Sequence, residues 1–276
     1  MISVCLATYN GEKYLREQLD SLIEQTYQEY IVYIRDDGST DGTISIINDY
    51  IRLYPNKIYL LKDNVIHRGA ANSFMWLLEN IDSDYYMFCD QDDIWLPNKI
   101  ELTLNRMLQI ECDNPNIPIV IHTDLEVVDE KLQQISSSFW QSMKLLPKIL
   151  KTKDFIATYN CVTGCTMMIN NIAKSYVLPM PIDAPMHDHW ISYICACYGI
   201  IDNIPQQTIL YRQHGKNTIG AKHITLVSTI KNFFSIHKNI FRYYKTAKFF
   251  NKYGYYSIPK WFVYKIIYIY IRHRKL

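Results

Sequence analysis

The chain has 276 residues, 49% of them apolar and 20% charged, which is ordinary for a globular protein, is long enough to bury a full core, and excludes an intrinsically disordered class. Its net charge of +2 conceals a division: all 27 acidic residues lie at or before Asp202 together with 15 Lys and Arg, and the other 14 basic residues follow. Seven cysteines are an odd count without paired zinc-type spacing, so neither Cys161 with Cys165 nor Cys195 with Cys197 is expected to bind metal, and a reduced, cytosolic protein is expected instead.

Ile2 to Ala7 reads as a first strand, and Met1-Ile2-Ser3 runs straight into it, which leaves no room for a signal peptide and predicts a cytoplasmic active site. Asn10 is expected to cap a helix whose apolar face is Leu15, Leu19, Leu22 and Ile23. Ile31 to Arg35 is the second strand and ends in Asp36-Asp37-Gly38. Asp37-Gly38 could turn a hairpin, but Ile44, Ile47 and Ile51 recur at helical spacing, so a helix to Leu53 is predicted. Ile58 to Leu61 is a third strand, leading through Asn64 and Gly69 into a helix carrying Phe74, Leu77, Leu78 and Ile81. The fourth strand, Tyr85 to Cys89, ends in Asp90-Gln91-Asp92-Asp93. A helix is expected from His187 to Tyr198, and a strand from Thr208 to Tyr211. Short strands alternating with helices predict parallel βαβ units.

Three carboxylates within four residues of a strand end are costly unless a cation sits among them. Crowded oxygen ligands suit Mg²⁺ or Mn²⁺ shared with a phosphorylated ligand; the alternative is a solvated turn in which Asp92 or Asp93 caps the helix near Pro97. The acidic end of the second strand strengthens the first reading. Ligands of open α/β sheets bind outside the carboxyl ends of the strands, so both clusters can face one crevice.

With these segments in view, the chain resembles the family 2 glycosyltransferases, whose fold is GT-A, and among them bacterial surface-polysaccharide glycosyl- and rhamnosyltransferases. The resemblance rests on Ser3-Val4-Cys5-Leu6-Ala7-Thr8-Tyr9-Asn10, Asp36-Asp37-Gly38-Ser39, Asp90-Gln91-Asp92-Asp93, Thr163-Gly164-Cys165-Thr166, His187-Asp188-His189-Trp190 and Tyr211-Arg212-Gln213-His214-Gly215, over about residues 1 to 220. It implies an α/β fold with a Rossmann-like, mostly parallel sheet and flanking helices in a domain of residues 1–222. It further implies that Ala7, Thr8 and Tyr9 line the base and ribose of a UDP- or dTDP-sugar. Asp37 would accept the ring N–H of the base, and Arg68, Asn72, Asp90 and Gln91 would lie against the nucleotide-sugar. By the same resemblance Asp92 and His214 hold Mn²⁺ or Mg²⁺, with Asp93 an alternative to Asp92. Gly164, Cys165, His187 and Trp190 would line the sugar or acceptor pocket, although Trp190 could equally be core and Gly164 a tight-turn glycine. Asp188 matches the family's base, deprotonating a saccharide hydroxyl in a single inverting displacement. His187 and His189 are rival bases.

Residues 223–276 form a basic, aromatic helical extension, as in Phe241-Arg242-Tyr243-Tyr244-Lys245 and Trp261-Phe262-Val263-Tyr264-Lys265. Cationic and amphipathic residues suit an anionic membrane surface, and with it a lipid-linked acceptor and a location at the inner face of the cell membrane. The run from Trp261 to Ile271 is too short to span a bilayer. Nucleic acid is not expected as a partner, because the acidic body would repel it; a helical hairpin packed on the body or on a second subunit is the other outcome. A nucleotidyltransferase or a non-catalytic scaffold are the competing functions. The first lacks its glycine-rich phosphate loop here, and the second needs neither Asp92 nor Asp188.

Overall fold

A computed structural model describes residues 1–63, 65–214, 236–255 and 257–274. The expected boundary near residue 222, together with Gly215 and Asn232-Phe233-Phe234, lies outside them.

The central strands are β1 (Ile2–Thr8), β2 (Tyr30–Asp36), β3 (Ile58–Leu60) and β4 (Tyr85–Cys89), parallel and ordered β3-β2-β1-β4. β1 is a near-continuous apolar run because helices cover both of its faces. One layer comprises α1 (Leu15–Ile23), α2 (Thr43–Leu53) and α4 (Lys99–Asp113), whose Leu19, Ile47 and Met107 are fully buried. The other comprises α3 (Ala70–Asn80), α7 (Asn171–Val177) and α8 (His187–Tyr198).

Beyond β4 the sheet is mixed rather than parallel. Among the described residues the order continues β8 (Met167–Asn170), β6 (Ile119–Val128), β9 (Ile200–Arg212) and β5 (Ile94–Trp95), with β7 (Gln134–Ser136) on β6. β8 is antiparallel to β4 and to β6. A parallel neighbour needs a crossover helix, whereas the chain enters β8 from a 3₁₀ turn, Gly164–Thr166, at the edge where β4 ends. That reversal sets Cys165 beside Asp90.

Asn10 does not cap α1. Its φ of 48° is left-handed, its N–H donates to Ser39 Oγ (2.8 Å) and its Oδ1 accepts from Thr40 N–H (2.8 Å). Asn tolerates that conformation, and here it ties the end of β1 to the loop after β2.

The basic extension forms α9 (Ile236–Lys252) and α10 (Ile258–Arg274). Their Phe249, Phe250, Trp261 and Tyr268 are buried in the same core as α3 and α8, so the hairpin packs on the body.

Candidate functional site

The carboxyl ends of β1, β2 and β4 share one edge, and the sequence places its acidic clusters there. Asp36 organises the loop after β2, accepting from Thr8 Oγ1 and from the N–H groups of Gly38 and Ser39. Asp37 is nearly buried and accepts from Arg35 Nη1, Arg68 N–H and Gly69 N–H, each at 2.8 Å. Burial works against ionisation of Asp37, but the Arg35 guanidinium and the two amides outweigh it and hold the carboxyl below its usual range. Arg35, fully buried, also pairs with Asp63 at 3.1 Å and donates to Ser73 Oγ.

Replacing Arg35 with Met leaves Asp37 and Asp63 without their buried cation, and a loss of roughly 3–5 kcal/mol of stability is expected in chemical denaturation. The contribution of Asp37 itself is present above the unfolded carboxyl value of about 4 and is lost as pH falls below that. A denaturation midpoint unmoved by R35M would remove Arg35 from this role.

Tyr9 is exposed, and its ring stands edge-on to His67 with centroids 5.6 Å apart. Gln91 takes a different place from the one expected. Its amide bridges both backbone groups of Tyr9, Oε1 accepting at 2.8 Å and Nε2 donating at 3.0 Å, so it fixes the end of β1 against the end of β4. Arg68 turns its side chain to Asp63 (2.8 Å), and Asn72 donates back to the Arg68 carbonyl (2.9 Å); it is the Arg68 backbone that meets Asp37.

Asp92 and His214, 122 positions apart, meet at 2.7 Å through Oδ2 and Nε2. A carboxylate oxygen and an imidazole nitrogen brought together in this way are both ligands that a divalent ion accepts. The imidazole stacks on Tyr14 with ring centroids 5.0 Å apart. Arg212 is buried and locks the turn, its N–H bonding Asp93 Oδ1 (3.0 Å) and its Nε the Asp92 carbonyl (3.0 Å). Asp93 is fully buried with Oδ2 unpartnered, and ligand atoms of Asp90, Asp93 and Cys165 lie within 4.8 Å of one another. Desolvation, together with repulsion from Asp92 and other nearby carboxylates, raises the carboxyls of Asp90 and Asp93 above their ordinary range. Clustered acids with an orphaned oxygen and hard ligands fit a divalent ion.

Asp188 opens α8, facing Asp90 closely enough to raise its carboxyl. Burial pushes Asp188 up to about 7 against hydrogen bonds from His189 N–H, Gly164 N–H and the Asn160 amide. Asn160 was not anticipated; a lone Asn in Tyr159-Asn160-Cys161 carries no motif. The flanking residues of α8 point elsewhere. His187 is buried between Phe74 and Phe88, with burial lowering it to about 3. His189 gives Nε2–H to the Ile156 carbonyl (2.7 Å), packs on Phe250 and is lowered to about 4 by burial. Neither imidazole is therefore placed as a base. Trp190 lies in the core rather than a pocket, its indole N–H on the Val177 carbonyl (2.8 Å) and its ring against Phe249 and Tyr253. Gly164 is explained by close approach, since a Cβ there would lie 2.7 Å from His187 Nε2.

Comparison with known proteins bears on the fold and the family. The family model for glycosyl transferase family 2 matches residues 3–177. A dTDP-rhamnosyl transferase, RfbG of Shigella flexneri, is 31% identical over 228 residues, covering 78% of this chain and 74% of that protein. An uncharacterized glycosyltransferase of Rickettsia typhi is 27% identical over 62% of this chain, which spans only 51% of that relative. Among solved structures, S. aureus TarS 1–349 with UDP-GlcNAc shares the fold at a TM-score of 0.56 and 20% identity, over 78% of this chain and 59% of that one. The mannosyltransferase PcManGT from Pyrobaculum calidifontis, with GDP-Man and Mn²⁺, does so at 0.57 and 17%, over 78% and 58%.

Proposed function

Since the chain belongs to glycosyl transferase family 2 and is a glycosyltransferase, we propose that it moves a sugar from a UDP- or dTDP-sugar to a saccharide hydroxyl with inversion, in the assembly of a surface polysaccharide. The observation that carries this reading is the convergence of Asp37, Asp90, the Asp92–His214 pair and Asp188 on one sheet edge. Asp37 reads the base. A divalent ion, Mn²⁺ or Mg²⁺, held by Asp92 and His214 would supply neutralisation of charge on the departing diphosphate. Asp188 takes the proton of the acceptor hydroxyl as that oxygen attacks the anomeric carbon from the face opposite the nucleotide. The name of the Shigella relative favours dTDP-rhamnose as donor. Nucleotide release from UDP-, dTDP- and GDP-sugars, with Mn²⁺ or with chelator, is the test. Metal-dependent turnover of a UDP- or dTDP-sugar is expected, and turnover of GDP-sugars alone would overturn the donor assignment.

The reading extends to the inner face of the cell membrane and a lipid-linked acceptor. No helix among the described residues is long and apolar enough to cross a membrane, but α10 exposes Val263, Ile266, Ile267 and Tyr270 along one stripe. α9 exposes Ile240, Phe241 and Tyr244 beside Lys245 and Lys248, and no acid follows Asp202. Such a surface suits anionic headgroups, at about 1 kcal/mol for each basic residue near them. Co-sedimentation with phosphatidylglycerol vesicles, absent with phosphatidylcholine, is expected, and the double variant I266E/I267E should lose most of it. Equal sedimentation with both vesicles would remove the electrostatic basis.

A further inference from the structure

The hairpin that the sequence offers as a membrane element also reaches the segment beside the proposed base. Between α6 (Lys153–Ile156) and the Gly164–Thr166 turn, residues 157–163 belong to no helix or strand. Three consecutive carbonyls, the last of α6 and the first two of this segment, are held by side chains from elsewhere. Ile156 O accepts from His189 Nε2 (2.7 Å), Ala157 O from Trp261 Nε1 (2.8 Å) and Thr158 O from Lys265 Nζ (2.7 Å). The next residue, Tyr159, is approached by Arg272 Nη1 (3.3 Å) and lies under the Lys265 ammonium, 4.4 Å from its ring centroid.

Lys265 is a lysine in the core, 6% exposed. The rings of Tyr159, Tyr243 and Trp261 surround its ammonium at 4.4 to 5.7 Å. A buried ammonium on a membrane-docking helix would cost stability for no reason if the helix served only the membrane. Its ammonium hydrogen-bonds the Thr158 carbonyl, in the segment that leads to Asn160.

Asn160 follows at once. Its Nδ2 donates to Val162 O (2.8 Å) and its Oδ1 accepts from Val162 N–H (3.0 Å), and its amide lies near enough to Asp188 to favour the ionised carboxylate. An amide nitrogen has two hydrogens, so the Val162 bond leaves one for that carboxylate. Gly164, the residue after the segment, approaches the start of α8 directly: a Cβ on it would lie 2.7 Å from His187 Nε2 and 3.9 Å from Asp188 Cβ, and its N–H also favours the Asp188 carboxylate.

We infer that α10 sets the orientation of the Asp188 carboxylate through residues 157–163, with Lys265 and Trp261 as positioning residues for the transfer reaction. The inference rests on the assignment of Asp188 as base. It makes the extension a working part of the catalytic domain, since misplacing a reacting group by about 1 Å can cost ~10²-fold in rate.

The test uses the full-length protein and dTDP-rhamnose turnover with Mn²⁺, together with hydrogen–deuterium exchange over residues 156–163. Lys265→Met strands the Thr158 carbonyl. Trp261→Phe keeps an aromatic ring and removes the N–H together with part of the ring volume, so it decides the matter should K265M fail to fold. Each is expected to raise exchange at 156–163 and to lower kcat, K265M by about tenfold, with donor KM within about twofold. In a double-mutant cycle the losses from K265M and Asn160→Ala should not multiply, because both act on the same carboxylate. Unchanged exchange at 156–163, or an unchanged kcat alongside a D188N variant that has lost activity, overturns the positioning role. Full activity in D188N instead overturns the base assignment. If dTDP-rhamnose is not turned over at all, the preference for that one donor fails and the exchange result alone decides whether α10 orders the segment.

Discussion

Asp188→Asn is expected to lower kcat by at least about tenfold, within the ~10²–10⁴-fold range that a positioned base contributes, while donor KM stays near that of the parent. The expectation follows from position: Asp188 is the one residue of His187-Asp188-His189-Trp190 whose side chain faces the carboxylate cluster, the other three being held by Phe74, the Ile156 carbonyl and the Val177 carbonyl. A stability readout accompanies the kinetic one. Burial raises the Asp188 carboxyl to about 7, so between its unfolded value of about 4 and that point the folded protein binds the proton more tightly than the unfolded chain. Its contribution to stability is therefore full below about 4 and declines as pH rises to about 7. Asn has no charge to bury, so Tm of the variant should gain on that of the parent as pH rises from 4 to 7. Loss of donor binding in D188N, with kcat intact at saturation, would move Asp188 to the nucleotide site.

Asp92→Asn has the second large effect: metal-dependent turnover should fall by about 10²-fold or more, and Mn²⁺ binding by calorimetry should be lost. Asp92, like Asp90, is partly open, and it alone of the cluster meets His214, whereas Asp93 is fully buried with the Arg212 N–H on one oxygen. His214→Ala should weaken the ion less than D92N, since the anionic carboxylate, the harder ligand of the pair, remains. Asp93→Asn is the control. If D93N abolishes Mn²⁺ binding and D92N does not, the ligand is the buried acid and the Asp92–His214 contact is merely structural.

The strand ends, the acidic clusters and the helix bearing Asp188 were legible in the sequence because they are local. An apolar run of period-free residues fixes a buried strand, and the carboxylates that follow it must emerge at its end. The faces of α8 were less legible. Four consecutive helical residues point about 100° apart, and nothing in His187-Asp188-His189-Trp190 says which direction is the crevice. Gln91 shows the same limit: its motif position suggests a ligand contact, while its amide is used on the Tyr9 backbone. The antiparallel insertion of β8, which carries Cys165 to the acids, has no local signal at all.

An inventory can be read along the chain: which chemistry-bearing residues sit at strand ends and helix starts, and that charge segregates to a cationic, aromatic C-terminal extension. Partnership belongs to the folded molecule. The meeting of Asp92 with His214 across 122 positions, of Arg35 with Asp63, and of Lys265 with the carbonyl of Thr158 all depend on chain crossings. The physical reason is that strand and helix preferences act over a few residues, whereas the cost of burying a charge is settled by whatever the fold brings against it. The extension makes the point most plainly, since its composition suits a membrane and its buried face belongs to the core beside the proposed base.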